Sequence, residues 1–163
     1  MLRACPSKPR KVQADIRVEA AVDCGSWQIP MEEKLLQHRG ACHCGRVRFE
    51  IDAPVDLDAL ECNCSICSKS GFLHLIVPRS RFRLLQGSAD LTTYTFNTGV
   101  AKHLFCRTCG IKSFYIPRSN PDGYSVNVRC LDAATIRQVK VSAFDGQNWQ
   151  AHGADLASRS LEP

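Results

Sequence analysis

Residues 42–51 read CHCGRVRFEI and hold the two signals that decide the fold. Cys42 and Cys44 are separated by one residue, and a glycine follows them directly. Beyond the glycine, apolar and charged residues alternate over 46–51, which is the period of a half-buried β-strand. The stretch therefore predicts a cysteine pair at the start of a strand that packs one face against a core.

The chain contains ten cysteines, and their grouping says more than their number. Most lie in groups with only one or two residues between neighbours, whereas disulfide frameworks spread their partners over separate segments. Such close groups allow several thiolates to converge on one zinc ion. The groups are Cys42-x-Cys44, Cys62-x-Cys64-x-x-Cys67 and Cys106-x-x-Cys109, and the remaining cysteines are Cys5, Cys24 and Cys130.

Cys106-Arg-Thr-Cys109-Gly110 has the spacing of a zinc knuckle, in which a tight turn brings two sulfurs to one ion. The glycine supplies the positive φ that completes such a turn. Cys42 and Cys44 can provide the other two ligands, because residues two apart on an extended segment face the same side. We therefore predict one closed structural zinc site made by these four cysteines. Free buried thiols and a redox Cys-x-x-Cys are the alternatives, and no thioredoxin-like βαβ pattern supports the second.

Cys62-Asn-Cys64-Ser-Ile-Cys67 places three thiolates within six residues. Three protein ligands are typical of a catalytic zinc that keeps one position for water or substrate, so we predict an open second site and two zinc ions per chain. The alternative is a second closed structural site, whose fourth ligand is Cys130, His74, His103 or a cysteine of the N-terminal segment. The choice between the two decides whether the protein is an enzyme.

Several other side chains carry weaker signals. His43 and His103 lie beside ligand cysteines and could donate protons, although satisfied histidines are common on strands. Arg79, Arg81 and Arg83 share one face at period two and could bind a substrate carboxylate, with a solvated sheet edge as the alternative. Core or interface positions are expected for Trp27, Phe114, Tyr115 and Trp149.

Composition and charge exclude several classes of protein. With 44% hydrophobic and 23% charged residues the chain is an ordinary globular one, and no apolar run approaches a membrane span. The formal net charge of +5 falls to about +2 once seven thiolates surround two divalent ions. Nucleic-acid binding therefore has little support. We expect a cytoplasmic protein, with the nucleus as the second compartment.

The pattern predicts one mainly β domain of short antiparallel strands over 38–150, after a flexible leader at 1–37 and before a C-terminal tail at 151–163. A short helix is an option at 31–38. The main helix is predicted at 131–140, where Asp132 can cap its first turn. Strands are predicted at 47–51, 72–77, 81–85, 91–96, 103–105, 112–116 and 124–129, with a final strand and loop at 143–149.

Over about residues 38–150 the chain resembles the family that joins glutathione-dependent formaldehyde-activating enzymes to centromere protein V. Five stretches carry the resemblance: HRGACHCGRVRFE at 38–50, CNCSIC at 62–67, TTYTFNT at 92–98, FCRTCG at 105–110 and SFYIPRSNP at 113–121. The residues at 94–98 and 115–121 are most similar to the centromere protein V branch.

The resemblance implies a zinc-binding β-tent fold and a zinc-dependent carbon–sulfur lyase that forms or cleaves S-hydroxymethylglutathione. Its small-molecule partners would be a thiol such as glutathione and an aldehyde, here formaldehyde. The alternative is a non-catalytic, zinc-stabilised module that binds chromatin or the cytoskeleton, like centromere protein V. The family pattern assigns the structural zinc to Cys42, Cys44, Cys106 and Cys109, and the catalytic zinc to Cys62, Cys64 and Cys67.

Overall fold

The computed structural model of the chain describes residues 34–161, and this range is mainly β, as the sequence predicts. Two short α-helices are present, α1 at Ser65–Ser70 and α2 at Trp149–His152. Five 3₁₀ segments lie at Arg79–Arg81, Ser88–Asp90, Val128–Cys130, Ala133–Thr135 and Gly153–Ser160. The strands are β1 Leu36–Ala41, β2 Arg48–Ala53, β3 Asp56–Cys62, β4 Leu73–Pro78, β5 Phe82–Gln86, β6 Leu91–Tyr94, β7 Lys102–Cys106, β8 Phe114–Ile116, β9 Gly123–Asn127 and β10 Gln138–Phe144.

The strands form two sheets within this range. A three-stranded sheet has the order β1-β2-β5, and a seven-stranded sheet has the order β10-β3-β4-β9-β8-β7-β6. Neighbouring strands are antiparallel, with the exception of β10, which pairs with β3 in parallel. The register sets Phe144 opposite Cys62, so the segments that follow both strands leave the sheet at the same edge.

Aromatic rings join the two sheets. Phe49 of β2 is fully buried and meets Phe114 of β8 edge-on, with 5.3 Å between the ring centroids. Phe82 of β5 stacks on Tyr124 of β9 at 4.1 Å. Ring pairs with these geometries contribute about 0.5–1.5 kcal/mol each beyond the area that they bury. The core therefore lies between the small sheet and the β8–β9 part of the large one.

The alternation over 46–51 places β2 with its apolar side in this core. Val47, Phe49 and Ile51 are all buried. Glu50 was expected on the solvent face, but it is buried as well. It pairs with Arg39 at 3.0 Å, which supplies the charge that a buried carboxylate needs.

The predicted helix at 131–140 is wrong. The segment instead contains the 3₁₀ turn at Ala133–Thr135 and the first residues of β10, and Asp132 makes no side-chain cap. β-Branched residues over 136–141 favour a strand, and the free edge of β3 offers them a partner. The option of a helix at 31–38 is wrong for residues 36–38, because they belong to β1. Residues 31–33 lie outside the described range.

Other predicted strands between 72 and 129 are found with ends shifted by at most two residues. β3 and α1 had no counterpart in the prediction. The leader, Trp27 and the two leader cysteines fall almost entirely outside the described residues, where they stay predictions. No described helix combines the length and the apolar character that a bilayer crossing requires.

Residues after the predicted domain end pack on the sheet. Leu156 and Ser160 of the Gly153–Ser160 segment are buried. The side-chain amide of the buried Asn120 donates to the Leu156 carbonyl at 2.9 Å and to the Ser160 hydroxyl at 2.9 Å. The C-terminal segment is thereby held against the loop between β8 and β9.

Candidate metal centres

The first cysteine group, Cys42, Cys44, Cys106 and Cys109, lies where the two sheets meet. Two members come from the turn between β1 and β2, and the other two come from the last residue of β7 and the turn after it. Each turn is closed by a glycine N–H that donates to the carbonyl of the first cysteine, from Gly45 at 3.0 Å and from Gly110 at 2.8 Å. Both glycines have a φ of 73°, a conformation that residues with a Cβ rarely adopt.

The spacing of the sulfurs in this first group suits one metal ion. All four sulfurs lie within 4.8 Å of one another, with 3.6 Å from Cys42 to Cys44 and 3.7 Å from Cys44 to Cys106. Tetrahedral zinc with Zn–S bonds of about 2.3 Å would separate its sulfurs by about 3.8 Å. Burial opposes ionisation of Cys109, but N–H groups of Ile111 and Cys44 outweigh it and lower its pKa to about 6. The donor set therefore fits a metal ion held by thiolates.

The second cysteine group forms where β3 turns into α1. Cys62 ends the strand, Cys64 precedes the first helical residue, and Cys67 is the buried residue of the helix. The side chain of Cys64 contacts those of Cys62 and Cys67, and these two contacts hold its pKa far below the usual thiol range. The structure thus brings together the three cysteines that the sequence singles out.

His74 of β4 joins this second group. A ring nitrogen of His74 and the sulfurs of Cys62 and Cys67 all lie within 4.8 Å of one another. The Nδ1 atom is 3.0 Å from the Ser125 hydroxyl, whereas Nε2 is buried and has no hydrogen-bond partner within residues 34–161. Burial lowers the pKa of His74 to about 3, so the ring is neutral and can offer a lone pair. This set also fits a metal ion, and His74 was among the fourth ligands considered for a closed site.

The segment after β10 covers the second cysteine group. The Asn63 side chain donates to Asp145 at 3.0 Å and accepts from the Gln147 N–H at 3.0 Å. These bonds bring Gly146 so close that an added Cβ would collide with the sulfur of Cys62. The parallel pairing of β3 and β10 creates this contact, because it directs both segments to one edge.

The second cysteine group opens on a cavity of about 700 Å³, which is large enough for a small peptide. Its wall includes Cys62, Cys64 and Cys67 together with His74. Aromatic and amide side chains also line it, among them Phe96, Asn97, His103, Tyr115, Phe144, Gln147, Asn148 and Trp149. No member of the first cysteine group lines this cavity. Of the two groups, the second is therefore the one that borders this cavity.

Lys112 and His103 form a polar pair beside the cavity. The Lys112 ammonium lies 3.1 Å from Nδ1 of His103 and above the rings of Phe72 and Tyr115, at 4.6 and 4.3 Å. Burial lowers the pKa of Lys112, while the charges of Cys67, Cys64 and Cys62 oppose that shift. Because an ammonium can only donate, Nδ1 of His103 accepts and the ring proton sits on Nε2.

The His103 ring is held between two aromatic rings. It stacks on Tyr115 at 5.0 Å and on Phe96 at 5.3 Å. Its Nε2 atom is buried and has no partner among the described residues. Burial lowers the pKa of His103 to about 4, which keeps the imidazole neutral near pH 7.

The three arginines proposed for substrate carboxylates lie away from the cavity. Arg83 pairs with Asp52 through two hydrogen bonds of 2.7 and 3.0 Å, and Arg79 lies above the Tyr124 ring. His43 is exposed and belongs to neither cysteine group. Phe114 is a core aromatic as expected, whereas Tyr115 and Trp149 line the cavity. Cys130 is half-buried and outside both groups.

A mainly β domain with two cysteine groups of this geometry defines a class of cysteine-rich metal-binding proteins. The sequence profile of the glutathione-dependent formaldehyde-activating enzyme family matches residues 37–147. The chain belongs to this family. It is also similar to a Rhodobacter sphaeroides protein of known crystal structure, a structural-genomics target, with 38% identity and a TM-score of 0.54. That similarity covers 63% of this chain and 99% of the other.

Sequence reasoning missed the parts of the site that depend on distant pairing. The sequence pattern places Lys112 in a predicted strand and indicates no role for it, since a single lysine on a strand usually faces solvent. Gly146 and Asn63 carried no signal, because their contact spans residues more than 80 positions apart. The motif SFYIPRSNP contains Tyr115 and Arg118, which line the cavity, and it was the sequence signal for this part of the wall.

Proposed function

We propose that the protein is a zinc-dependent carbon–sulfur lyase that forms or cleaves S-hydroxymethylglutathione. Zinc would occupy both cysteine groups, and the second group would be the catalytic one. The observation that carries this proposal is the position of Cys62, Cys64 and Cys67 on the wall of a cavity that no member of the first group lines. Membership of the family supports glutathione and formaldehyde as the substrates.

The two cysteine groups would do different work. The first group ties the β1–β2 turn of the small sheet to the β7–β8 turn of the large one, which is a structural role. Cys62, Cys64 and Cys67 would hold the catalytic zinc. A zinc ion bound there would supply Lewis acidity that lowers the pKa of an incoming thiol and stabilises its thiolate.

The reaction needs no redox partner. In the forming direction, the thiolate sulfur bonds to the carbonyl carbon while the C=O π electrons move to oxygen, which takes up the proton that the thiol has lost. His103 can donate a hydrogen bond to that oxygen from Nε2, since Lys112 occupies Nδ1. The cleavage direction reverses each movement.

The position of His74 favours a second candidate, a closed Cys₃His site without catalysis. Its unpartnered Nε2 and its distance of at most 4.8 Å from two of the sulfurs are the observations behind it. Cobalt substitution separates the two, because thiolate-to-cobalt absorption changes when a new sulfur ligand enters. A change on adding 2-mercaptoethanol supports the open site. An unchanged spectrum, combined with loss of the second metal in His74→Ala, supports the closed one.

Exchange NMR with ¹³C-formaldehyde and glutathione tests the activity directly. We expect zinc-loaded protein to accelerate formation and breakdown of S-hydroxymethylglutathione in proportion to its concentration. Cys64→Ser should abolish the acceleration, and Cys130→Ser, a matched change outside both groups, should retain it. Exchange at the uncatalysed rate with fully loaded wild-type protein would refute the proposal.

The closer similarity to the centromere protein V branch stays a prediction.

A further inference from the structure

The cavity wall contains one guanidinium, that of Arg118, and no carboxylate. The loop between β8 and β9 carries Arg118, which is half-buried. No ion pair involves it among the described residues. A half-buried guanidinium with no carboxylate beside it in the wall can pair with an anionic group of a ligand.

Arg118 is held in place by Trp149. The central guanidinium carbon lies over the indole ring, 4.1 Å from its centroid, which is the distance of a cation–π contact. No hydrogen bond or ion pair uses the N–H groups of this guanidinium among the described residues, so they can bind a planar, bidentate acceptor. A carboxylate is such an acceptor.

The indole itself is fixed from two sides. Phe144 meets it edge-on at 6.1 Å, and Gly153 approaches so closely that an added Cβ would lie 2.6 Å from its ring nitrogen. The indole under Arg118 therefore has little freedom to move. This restraint reduces the conformational entropy that the Arg118 side chain loses when it binds a ligand.

A second observation at the same wall points to a ligand. The hydroxyl of Ser119, next to Arg118 in the chain, is buried and has no hydrogen-bond partner among the described residues. Ser119 also lines the cavity. A buried hydroxyl without a partner costs free energy, and a ligand oxygen held by the neighbouring guanidinium could accept its hydrogen bond.

We propose that Arg118, seated on Trp149 and assisted by Ser119, anchors a carboxylate of the thiol substrate. This inference rests on the proposed function and adds a positioning residue to it: Arg118 would select thiols that carry a carboxylate remote from the sulfur. Neutral thiols such as 2-mercaptoethanol would reach Cys62, Cys64 and Cys67 without this anchor.

The test uses S-methylglutathione, which keeps both carboxylates of glutathione but has no thiol. Calorimetric titration of the zinc-loaded full chain should show binding to wild type that Arg118→Gln weakens at least tenfold. Arg118→Lys should weaken it less, because the charge remains without the planar edge. Arg129→Gln, on an exposed arginine outside the cavity, should bind like wild type. Melting temperature and zinc content show that each variant is folded.

A second titration reads out selectivity. With cobalt-substituted protein, Arg118→Gln should raise the dissociation constant of glutathione at least tenfold and leave that of 2-mercaptoethanol within twofold. Equal affinity of wild type and Arg118→Gln for S-methylglutathione would overturn the inference, as would absence of binding to wild type. Failure of the proposed function looks different: S-methylglutathione would bind through Arg118 while exchange NMR showed no acceleration.

Discussion

At the scale of single residues, the second cysteine group depends on charge. Three thiolates around a divalent ion leave one net negative charge, and a substrate thiolate would add another. Burial lowers the pKa of Lys112, whereas the charges of the three cysteines favour its protonated form and oppose that shift. None of the described carboxylates pairs with Lys112. Its ammonium is therefore placed to offset the charge of the group and to hold His103 in one tautomer.

Replacing Lys112 should weaken thiolate binding more than metal binding. We expect Lys112→Met to raise the dissociation constant of 2-mercaptoethanol for the cobalt-substituted protein about tenfold or more, since about 1.4 kcal/mol of Coulomb energy corresponds to tenfold. Lys112→Arg should restore most of the affinity. Lys102→Met, at an exposed position of β7, is the control. Unchanged thiol affinity in Lys112→Met would contradict this role for the charge.

A methyl group at Gly146 should remove the second metal selectively. Its Cβ would occupy the space of the Cys62 sulfur. We expect Gly146→Ala to contain one zinc per chain where wild type contains two, as measured by elemental analysis. Gly99→Ala is the control, because its added Cβ meets nothing within 4 Å although its φ of 69° costs about 1–2 kcal/mol. Two zinc ions per chain in Gly146→Ala would contradict this prediction, because they would show that the loop after β10 moves to accommodate the added Cβ.

At the scale of elements, local pattern predicted β2 and most strands that follow it, since alternation reports which face is buried. Local pattern failed at 131–140, where a helix-like stretch forms a 3₁₀ turn and the first residues of β10. The edge of β3 offers these residues hydrogen bonds that only the folded chain provides. Cysteine spacing identified both groups, because neighbours on a tight turn must converge. His74 was one of several possible fourth ligands, because its place beside Cys62 and Cys67 depends on the pairing of β3 with β4, which no local pattern contains.

The aromatic contact between the sheets should dominate the core energetics. Phe49 of β2 is fully buried against Phe82 and Phe114. We expect Phe49→Ala to lower the free energy of unfolding by about 3–5 kcal/mol in urea denaturation, since it removes a large ring and leaves a cavity. Phe96→Ala removes a ring from the cavity wall instead and should cost clearly less. A loss below 1 kcal/mol for Phe49→Ala would contradict the described core.

At the scale of the whole molecule, the first cysteine group links the two sheets. Cys42 and Cys44 follow β1 of the small sheet, whereas Cys106 ends the large-sheet strand β7 and Cys109 follows it. A metal ion there would act as a cross-link between two sheets that otherwise meet through the packed core and a few backbone contacts. Its contribution to folding should therefore exceed that of the second group, whose cysteines lie close together in the chain.

Two cysteine variants compare these contributions. We expect Cys106→Ser to lower Tm by at least about 10 °C, the equivalent of about 3 kcal/mol for a domain of this size. Cys64→Ser should change Tm far less while losing one metal ion. Differential scanning calorimetry and elemental analysis provide both readouts. Equal destabilisation by the two substitutions would mean that both groups are closed structural sites.

The parallel pairing of β3 and β10 also determines when the second cysteine group becomes protected. Asn63 and Gln147, which bind each other across it, are 84 positions apart. At about 5–20 residues per second of synthesis, Cys62 and Cys64 would wait roughly 4–17 s for the segment that covers them. During that interval these thiols would lack the cover of the segment after β10, so a metal ion could reach them before β10 pairs with β3.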